Sequence, residues 1–380
     1  MNNQRWMSQN FFTFFMTWGV FLPYWTGWLI DAKGLSVAEA SLIMSFGLVA
    51  RGASTLFAFP LASSRWSNKI VIVILTVGAL LAALLYIPAN SFTSLFVVTL
   101  LFSVFYPALL PALDSTAGIL VQHGNLHYGR SRSYGSIGFI ISVLILSVIT
   151  GYFGDSAILW GMIAGLVAML LMLSLVATPQ VLLVKPEKKK SVLSIRSLWN
   201  VKGFPLVLLI VVLLQGAHAS YYNYGYIYLQ DLGVSKYFIG MIINIGVVFE
   251  IIYFAKADNV FAKWKPASLL VLSAAGSTLR WLLVAFFPNI WVFVISQSLH
   301  ALSFGVAHYA FILYITQKLP KAQIPNAQGI YSALALSWST AILTLLGGAL
   351  YEITPGYAFL GMIICTIPAL FLSLRLRVRS

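Results

Sequence analysis

Twelve long apolar runs restrict this chain more than any other feature of its sequence. Each run is about 20 residues long, the length an α-helix needs to cross the hydrocarbon core of a bilayer. The runs begin near Trp6, Val37, Ile70, Ser94, Ser133, Ala157, Phe204, Tyr237, Ala267, Ile290, Asn326 and Gly356. They lack the two-residue alternation of an outer-membrane β-barrel. The sequence therefore predicts an all-α membrane protein with twelve transmembrane helices.

The composition supports the same class. Only 8% of the 380 residues are charged and 60% are hydrophobic, whereas a soluble domain carries roughly 25% charged residues. This argues against a soluble enzyme, a nucleic-acid binder or a disordered protein. Cys365 is the single cysteine, so no intrachain disulfide can form. The first apolar run is too long for a cleavable signal peptide and has no small-residue cleavage site.

The net charge of +14 is explained by membrane topology. Nineteen of the 23 basic residues fall on one side if both termini face the cytoplasm, as the positive-inside rule requires. They lie in the two tails and in the loops after spans two, four, six, eight and ten. The opposite loops carry most of the acidic residues. We expect a multi-pass protein of the bacterial inner membrane, in contact with lipid and without a nucleic-acid partner.

A long polar gap at 179–203, which contains the run KPEKKK, divides the chain into two halves. We interpret 1–178 and 204–380 as six-helix bundles and 179–203 as a cytoplasmic linker. An offset of 199 pairs Gly34 with Gly233, Ser36 with Ser235, Gly47 with Gly246 and Arg51 with Glu250. Two similar six-span halves in parallel orientation are typical of major facilitator transporters, which bind substrate at the midplane between the halves.

Ionisable residues within the spans are the candidates for function. A charge at the centre of a membrane helix costs about 2.5–3.5 kcal/mol on insertion scales and normally faces a partner or a water-filled cavity. The candidates are Arg51, Asp114, Arg132, His218, Glu250, Arg280, His300 and His308. Arg130 and Arg132 are about 200° apart on a helix, and Arg130 is nearer the aqueous end, so Arg132 is the better candidate. Each could instead be a structural anchor or a hydrogen-bonded packing residue.

Aromatic residues are dense in spans one and seven. Many are expected to lie in the interfacial belts, their commonest place in membrane proteins. Trp18 and Tyr221 are deep enough in their spans to line a cavity and stack on a ring.

Several motifs resemble those of a known family. They are GVFLPYW at 19–25, GLVAR at 47–51, PALLPALD at 107–114, YGRSRSYGSIGF at 128–139, LLQGAHASYY at 213–222, GVVFE at 246–250 and LRW at 279–281. Together they resemble the 3-phenylpropionate permease family of the major facilitator superfamily, which is related to lactose permease and the oligosaccharide:proton symporters. The resemblance covers nearly the whole chain.

The resemblance to lactose permease implies roles for particular residues. Its substrate-binding acid and arginine fall on Asp114 and Arg132, and its substrate-binding glutamate falls on Glu250. Its span-nine arginine and span-ten histidine fall on Arg280 and His300. Its proton-carrying glutamate, however, falls on Ser303. Proton coupling would then depend on Glu250, Asp114 or a histidine. The loop 2–3 signature is also degraded, because 61–69 contains no acid.

The balance of interior charges suggests the substrate. The two carboxylates do not balance the three arginines, so an anionic substrate would neutralise the surplus. The leading hypothesis is proton-coupled uptake, by alternating access, of a small aromatic carboxylate such as 3-phenylpropionate. The substrate-binding candidates are Asp114, Arg132, Glu250, Arg51, Trp18, Tyr221 and His218. The proton-coupling candidates are Glu250, Arg280, His300, His308 and Asp114.

Other functions stay open at this point. Acid–arginine pairs also bind hydroxyls and an indole stacks on a sugar ring, so a sugar or nucleoside:proton symporter is the second hypothesis. A receptor or scaffold would leave the buried charges unexplained. A membrane enzyme is disfavoured because the chain has no nucleophile motif, and His300 and His308 do not have the HExxH spacing. We expect a monomer without a metal or cofactor.

Overall fold

A computed structural model describes residues 3–122, 126–175, 179, 182–183, 195–261, 263–320 and 323–379. These residues form helices joined by turns, and no strand occurs among them. Most of the predicted linker at 179–203 lies outside the described residues, as does Lys321.

Long helices, here named α1 to α12, account for most of the described residues. They are α1 (Asn3–Gly27, continued by a π-helical turn at Trp28–Ala32), α2 (Val37–Arg65), α3 (Asn68–Leu85), α4 (Phe92–Val121), α5 (Tyr128–Phe153), α6 (Ala157–Ser174), α7 (Phe204–Asp231), α8 (Lys236–Val260), α9 (Pro266–Phe286), α10 (Ile290–Lys318), α11 (Ile324–Ile353) and α12 (Pro355–Val378). Within the described residues, the eleven helices α2 to α12 are long and apolar enough to cross a membrane. Helix α1 is outside that set because its Trp, Tyr, Thr and Gly residues lower its mean hydropathy. The all-α membrane fold is confirmed, with eleven of the twelve predicted spans.

Half of these helices are interrupted. Helices α2, α10 and α11 contain π-helical turns at Ser54–Ala58, Ala301–Gly305 and Leu334–Trp338. Helix α4 is divided near Pro107 and Pro111, which have no N–H for the helical hydrogen bond. Helices α7 and α12 are divided at Ala217–His218 and Met362. Such breaks free backbone groups, which side chains inside the protein must then satisfy.

The chain divides into two compact units. The first comprises Met1–Lys189 and Ser235–Met241, and the second comprises Lys190–Val234 and Ile242–Ser380. In the first unit α1 packs against α5 and α6, and α3 packs against α4 and α6. In the second α7 packs against α11 and α12, and α9 packs against α10 and α12. The same pairs recur after a shift of six helices, as expected for pseudo-symmetric bundles. The predicted boundaries at 178 and 204 stay predictions.

The glycines paired by the sequence offset have matching roles. Gly34 (φ 71°) and Gly233 (φ 82°) are left-handed residues just after α1 and α7, a conformation that glycine adopts without strain. A Cβ added to Gly47 would lie 2.8 Å from Ser103 Oγ, and one added to Gly246 would lie 2.9 Å from Gln297 Oε1. These glycines therefore allow close approach of α2 to α4 and of α8 to α10.

The outer surface is apolar. Large side chains such as Phe57, Trp160 and Ile342 are more than half exposed. A soluble domain would bury such residues, whereas in a bilayer they contact lipid tails. Their exposure agrees with the composition.

Candidate functional site

The first unit contains a cluster of charged and aromatic side chains from α1, α4 and α5. The hydroxyl of Tyr128 donates a hydrogen bond to Asp114 Oδ1 at 3.0 Å. Arg132 is one turn further along α5, on the same helix face as Tyr128. The centre of its guanidinium lies 4.1 Å from the ring centroid of Phe15 and 5.8 Å from that of Phe11. The half-buried arginine is therefore held against aromatic faces by cation–π attraction.

Small residues of the YGRSRSYGSIGF motif make room for this cluster. A Cβ added to Gly135 would lie 2.5 Å from the Phe15 ring and 3.2 Å from Arg132 Nη1. One added to Gly138 would lie 2.3 Å from the carbonyl oxygen of Phe12. The two glycines allow α5 to approach α1 closely enough for Arg132 to reach the rings.

The Arg132 guanidinium has no close carboxylate among the described residues. It lies within Coulombic range of Asp114, but the ion pairs Lys236–Asp155 and His300–Glu250 do not include it. Asp114 and Arg132 are thus brought together, as the resemblance implies, without forming a closed salt bridge.

A second pair of candidates lies on α1 and α2. The guanidinium of Arg51 is 5.0 Å from the Trp18 ring. Trp18 in turn stacks on Phe14 and Tyr106, with ring centroids 6.2 and 5.9 Å away. Trp18 is partly exposed, and its place in the lining of a cavity stays a prediction.

In the second unit the candidates converge on Arg280, which is fully buried. Its Nη1 donates to Nδ1 of His300 at 2.9 Å and to Oγ of Ser303 at 3.3 Å. Its Nη2 donates to Oε1 of Gln297 at 3.3 Å, and the same oxygen accepts from the Tyr221 hydroxyl at 2.9 Å. A buried charge requires such partners because it has lost its hydration shell.

Two aromatic rings complete the surroundings of Arg280. Its guanidinium carbon lies 4.5 Å from the Tyr221 ring centroid and 4.6 Å from that of Trp281. A planar, weakly hydrated guanidinium suits this environment better than an ammonium group. Tyr221 therefore contacts Arg280 and is only 8% exposed.

Glu250 is the most exposed residue of this network. Its Oε2 lies 3.2 Å from Nε2 of His300, and the Glu250 side chain is 25% exposed. Arginine can only donate hydrogen bonds, so Nδ1 of His300 must accept the one from Arg280. A neutral His300 consequently carries its hydrogen on Nε2 and donates it to Glu250.

His218 lies at the break in α7. Its backbone N–H bonds to the carbonyl of Gln215 instead of continuing the helical pattern to Leu214. The freed Leu214 carbonyl accepts from the His218 ring, with Nδ1 at 3.0 Å. The other ring nitrogen, Nε2, lies 3.0 Å from Oγ of Ser303. His218 is fully buried, so it belongs to the internal network.

The π-helical turn of α10 is stabilised by side chains. Ser273 Oγ donates to the Ser303 carbonyl at 2.9 Å, and Gln215 Nε2 donates to the Phe304 carbonyl at 3.3 Å. The Ser303 hydroxyl itself lies 3.2 Å from the His300 carbonyl. These contacts satisfy carbonyls of the turn and orient Ser303 towards the network. Turns of this kind are frequent at functional sites.

His308 stands beside the network. Its Nδ1 lies 3.0 Å from the Tyr331 hydroxyl, and its ring stacks at 6.4 Å on Phe304, which separates it from His300. The Tyr331 hydroxyl also accepts from Gln215 at 3.0 Å. His308 is linked to the turn through Tyr331 and Gln215, and these links do not include Arg280.

The structure adds three residues that the sequence did not single out as site residues. Tyr128 binds Asp114, Phe15 holds Arg132, and Gln297 joins Arg280 to Tyr221. The spacing of Tyr128 four residues before Arg132 indicates a shared helix face. No comparable signal identifies Phe15 among the many aromatic residues of α1.

The chain matches the model of a known protein family. The model of the MFS_1 like family matches residues 4–360. The chain belongs to that family. The match covers nearly the whole chain, and it confirms the resemblance to the major facilitator superfamily.

Two curated relatives are transporters. One is the "Probable 3-phenylpropionic acid transporter" of Escherichia coli (strain K12), 30% identical over 377 residues, which cover 98% of this chain and 97% of the relative. Another is the "Maltose permease" of Geobacillus stearothermophilus, 27% identical over 375 residues, with 97% and 93% covered. This family member is therefore a multi-pass membrane transporter.

A solved structure shows the same fold. The crystal structure of the nucleoside transporter NupG matches with a TM-score of 0.82 at 17% identity, covering 100% of this chain and 99% of that one. At this identity the similarity concerns the fold alone.

Proposed function

We propose that this transporter imports a small aromatic carboxylate, such as 3-phenylpropionate, together with a proton. The observation that carries the proposal is Arg132, a half-buried guanidinium resting on aromatic rings with no ion-pair partner among the described residues. The E. coli relative, whose name refers to 3-phenylpropionic acid, supports the same substrate class.

The chemistry of this cluster suits such a substrate. A guanidinium can bind a carboxylate through two parallel charge-assisted hydrogen bonds. The neighbouring rings offer an apolar surface on which a phenyl group can pack. Asp114, Arg51, Trp18 and Glu250 are the further binding candidates. Tyr221 and His218 are buried against the Arg280 network, so we assign them a supporting role.

Proton coupling is proposed to reside in the Glu250–His300 pair. Glu250 is the exposed end of the network, and His300 connects it to Arg280. Protonating Glu250 removes the negative charge that compensates Arg280. The energy of the network then changes, and with it the balance between inward- and outward-open states. Asp114 and His308 are the remaining proton-coupling candidates.

The test of the substrate site is uptake of labelled 3-phenylpropionate by proteoliposomes under an imposed pH gradient. Arg132→Ala is expected to reduce the uptake rate at least about tenfold, as for the loss of a charge-assisted hydrogen bond. Arg130→Ala is the matched control, because Arg130 is exposed and faces away from the site. Wild-type uptake by Arg132→Ala would exclude this assignment.

The coupling of uptake to proton movement needs a separate test. Glu250→Gln removes the titratable group and keeps the shape of the side chain. We expect it to abolish accumulation driven by the pH gradient while leaving exchange of labelled for unlabelled substrate measurable. Uptake by the wild type that is unaffected by a proton uncoupler would exclude symport.

The second candidate function is a sugar or nucleoside:proton symporter. The 27% identical maltose permease favours it, and so does the Asp114–Tyr128 pair, which could bind substrate hydroxyls. Competition distinguishes the two. Inhibition of uptake by neutral sugars or nucleosides, but not by benzoate-type acids, would favour the second candidate.

A further inference from the structure

Arg280 lies between two hydrogen-bonded arms. One arm runs through His300 to Glu250, and the other runs through Ser303 to His218. We propose that Arg280 blocks proton movement between the arms, and that His218 is a neutral positioning residue that holds Arg280 through Ser303. The proposal rests on the proton-coupled function above and confines the transported proton to the Glu250–His300 arm.

The blocking role follows from the chemistry of arginine. A proton moves along hydrogen bonds only if each group can both accept and donate a hydrogen. The guanidinium has donors only and stays protonated in proteins. Nη1 of Arg280 is the shared atom, 2.9 Å from His300 and 3.3 Å from Ser303. A proton held by the Glu250–His300 pair therefore has no acceptor beyond His300 on this path.

The hydrogen bonds of His218 are consistent with a neutral ring. Its Nδ1 faces the Leu214 carbonyl, which can only accept, so Nδ1 carries a hydrogen. In the neutral ring Nε2 is then an acceptor. The single hydrogen of the Ser303 hydroxyl has two acceptors in reach, His218 Nε2 at 3.0 Å and the His300 carbonyl at 3.2 Å. Ser303 can donate to His218 while accepting from Arg280.

The charges around His218 oppose its protonation. From α9 it faces Arg280 and the Trp281 ring at 5.4 Å, and from α10 it faces His300 and the Phe304 ring at 5.7 Å. On its own helix it faces the neutral Tyr222 ring. Glu250 on α8 is joined to this network through His300. A second cation beside Arg280, with both side chains fully buried, would suffer charge repulsion without hydration.

Ser303 gives this arrangement a rationale. A serine at this position lets a neutral histidine hold the arginine and adds no titratable acid to that side. Proton binding is then confined to the His300–Glu250 side of Arg280, and the Ser303–His218 side only positions the arginine.

The test compares two substitutions of His218. Glutamine can donate to the Leu214 carbonyl and accept from Ser303, but it cannot become a cation. Leucine can neither donate nor accept a hydrogen bond. We expect His218→Gln to keep the wild-type pH dependence of uptake at a rate within a few-fold of wild type. His218→Leu should lower kcat about tenfold, as for loss of a hydrogen bond serving a charged group, without shifting the pH profile. His300→Gln should flatten that profile.

A second readout needs no substrate. Melting temperatures of the purified protein are measured from about pH 5 to 8, the range in which histidine titrates. Coincident curves for wild type and His218→Gln would support a neutral His218. Loss of a pH-dependent step in His218→Gln, in melting or in uptake, would overturn the proposal. If the wild type transports no aromatic acid, the proposed function fails while the melting curves still decide the state of His218.

Discussion

Arg132 and Arg280 both contact aromatic rings, but they differ in burial and in their partners. Arg132 is half-buried and has no ion-pair partner among the described residues. Arg280 is fully buried, with hydrogen-bond acceptors in His300, Ser303 and Gln297. The first can still offer its donors to a ligand, whereas the second is largely committed to the protein. Because of this difference, we assign substrate binding to Arg132 and proton coupling to the network around Arg280.

Tyr128→Phe tests the first cluster at the residue scale. The change removes the hydroxyl that donates to Asp114, and hydrogen bonds to charged groups contribute about 1.5–3 kcal/mol. Because Tyr128 is 41% exposed, we expect the lower end, a rise of about tenfold in KM for uptake. Tyr134→Phe is the matched control, since Tyr134 lies on the same helix and is also 41% exposed. Equal KM values for the two variants would contradict the role of Tyr128.

At the scale of helices, the site depends on how closely α1 and α5 approach. Gly138→Ala should destabilise the protein strongly, because the new Cβ would lie 2.3 Å from a backbone oxygen, that of Phe12, which cannot move aside by a change of rotamer. Gly118→Ala on α4 is the control, since nothing lies within 4 Å of its added Cβ. We expect a melting temperature several degrees lower for Gly138→Ala only. Equal melting temperatures would show that α5 can shift without cost.

The first turns of α8 belong to the first unit, and an ion pair stabilises them there. Lys236 pairs with the buried carboxylate of Asp155, and the N–H of Gly240 donates to Ser147 Oγ at 2.9 Å. Lys236→Met would leave Asp155 buried without its cation. Such losses cost about 3–5 kcal/mol for fully buried pairs, and the 31% exposure of Lys236 reduces the effect.

The measurement is thermal unfolding in detergent. We expect Lys236→Met to lower the melting temperature and the double variant Asp155→Asn/Lys236→Met to recover part of the loss, because both charges are then absent. A double variant less stable than Lys236→Met would contradict a simple ion pair.

At the scale of the whole molecule, the protein is a duplicated bundle. The repeated helix pairs, and the matching glycines after α1 and α7, show that both halves follow one packing scheme. The duplication does not extend to chemistry. The first unit presents an arginine on aromatic rings, whereas the second contains a histidine–arginine–glutamate network.

The predicted membrane topology, with both termini in the cytoplasm, can be tested by cysteine labelling. Replacing Cys365, the single cysteine, with serine allows new cysteines to be introduced one at a time. Lys318→Cys and Glu352→Cys both place the thiol at exposed positions, at opposite ends of the membrane if the termini are cytoplasmic. In intact cells a membrane-impermeant maleimide should label the position of Glu352 and reach that of Lys318 only after permeabilisation. The reverse pattern would invert the topology.

The sequence by itself determined the membrane class, the order of the helices and the repeated halves, and eleven of the twelve predicted spans are found among the described residues. These follow from properties of contiguous residues, namely long apolar runs, charge in the loops and glycines at fixed offsets. It also identified Glu250, Arg280 and His300 as candidates, because any ionisable residue in an apolar run stands out. The tertiary structure decided which of them meet. Contacts such as those of Arg280 with Gln297, or of Arg132 with Phe15, join residues on different helices, and helix rotation and packing set them. Depth along a helix did not reveal which way a side chain faces, so only the packed bundles showed that Tyr221 and His218 belong to the buried network.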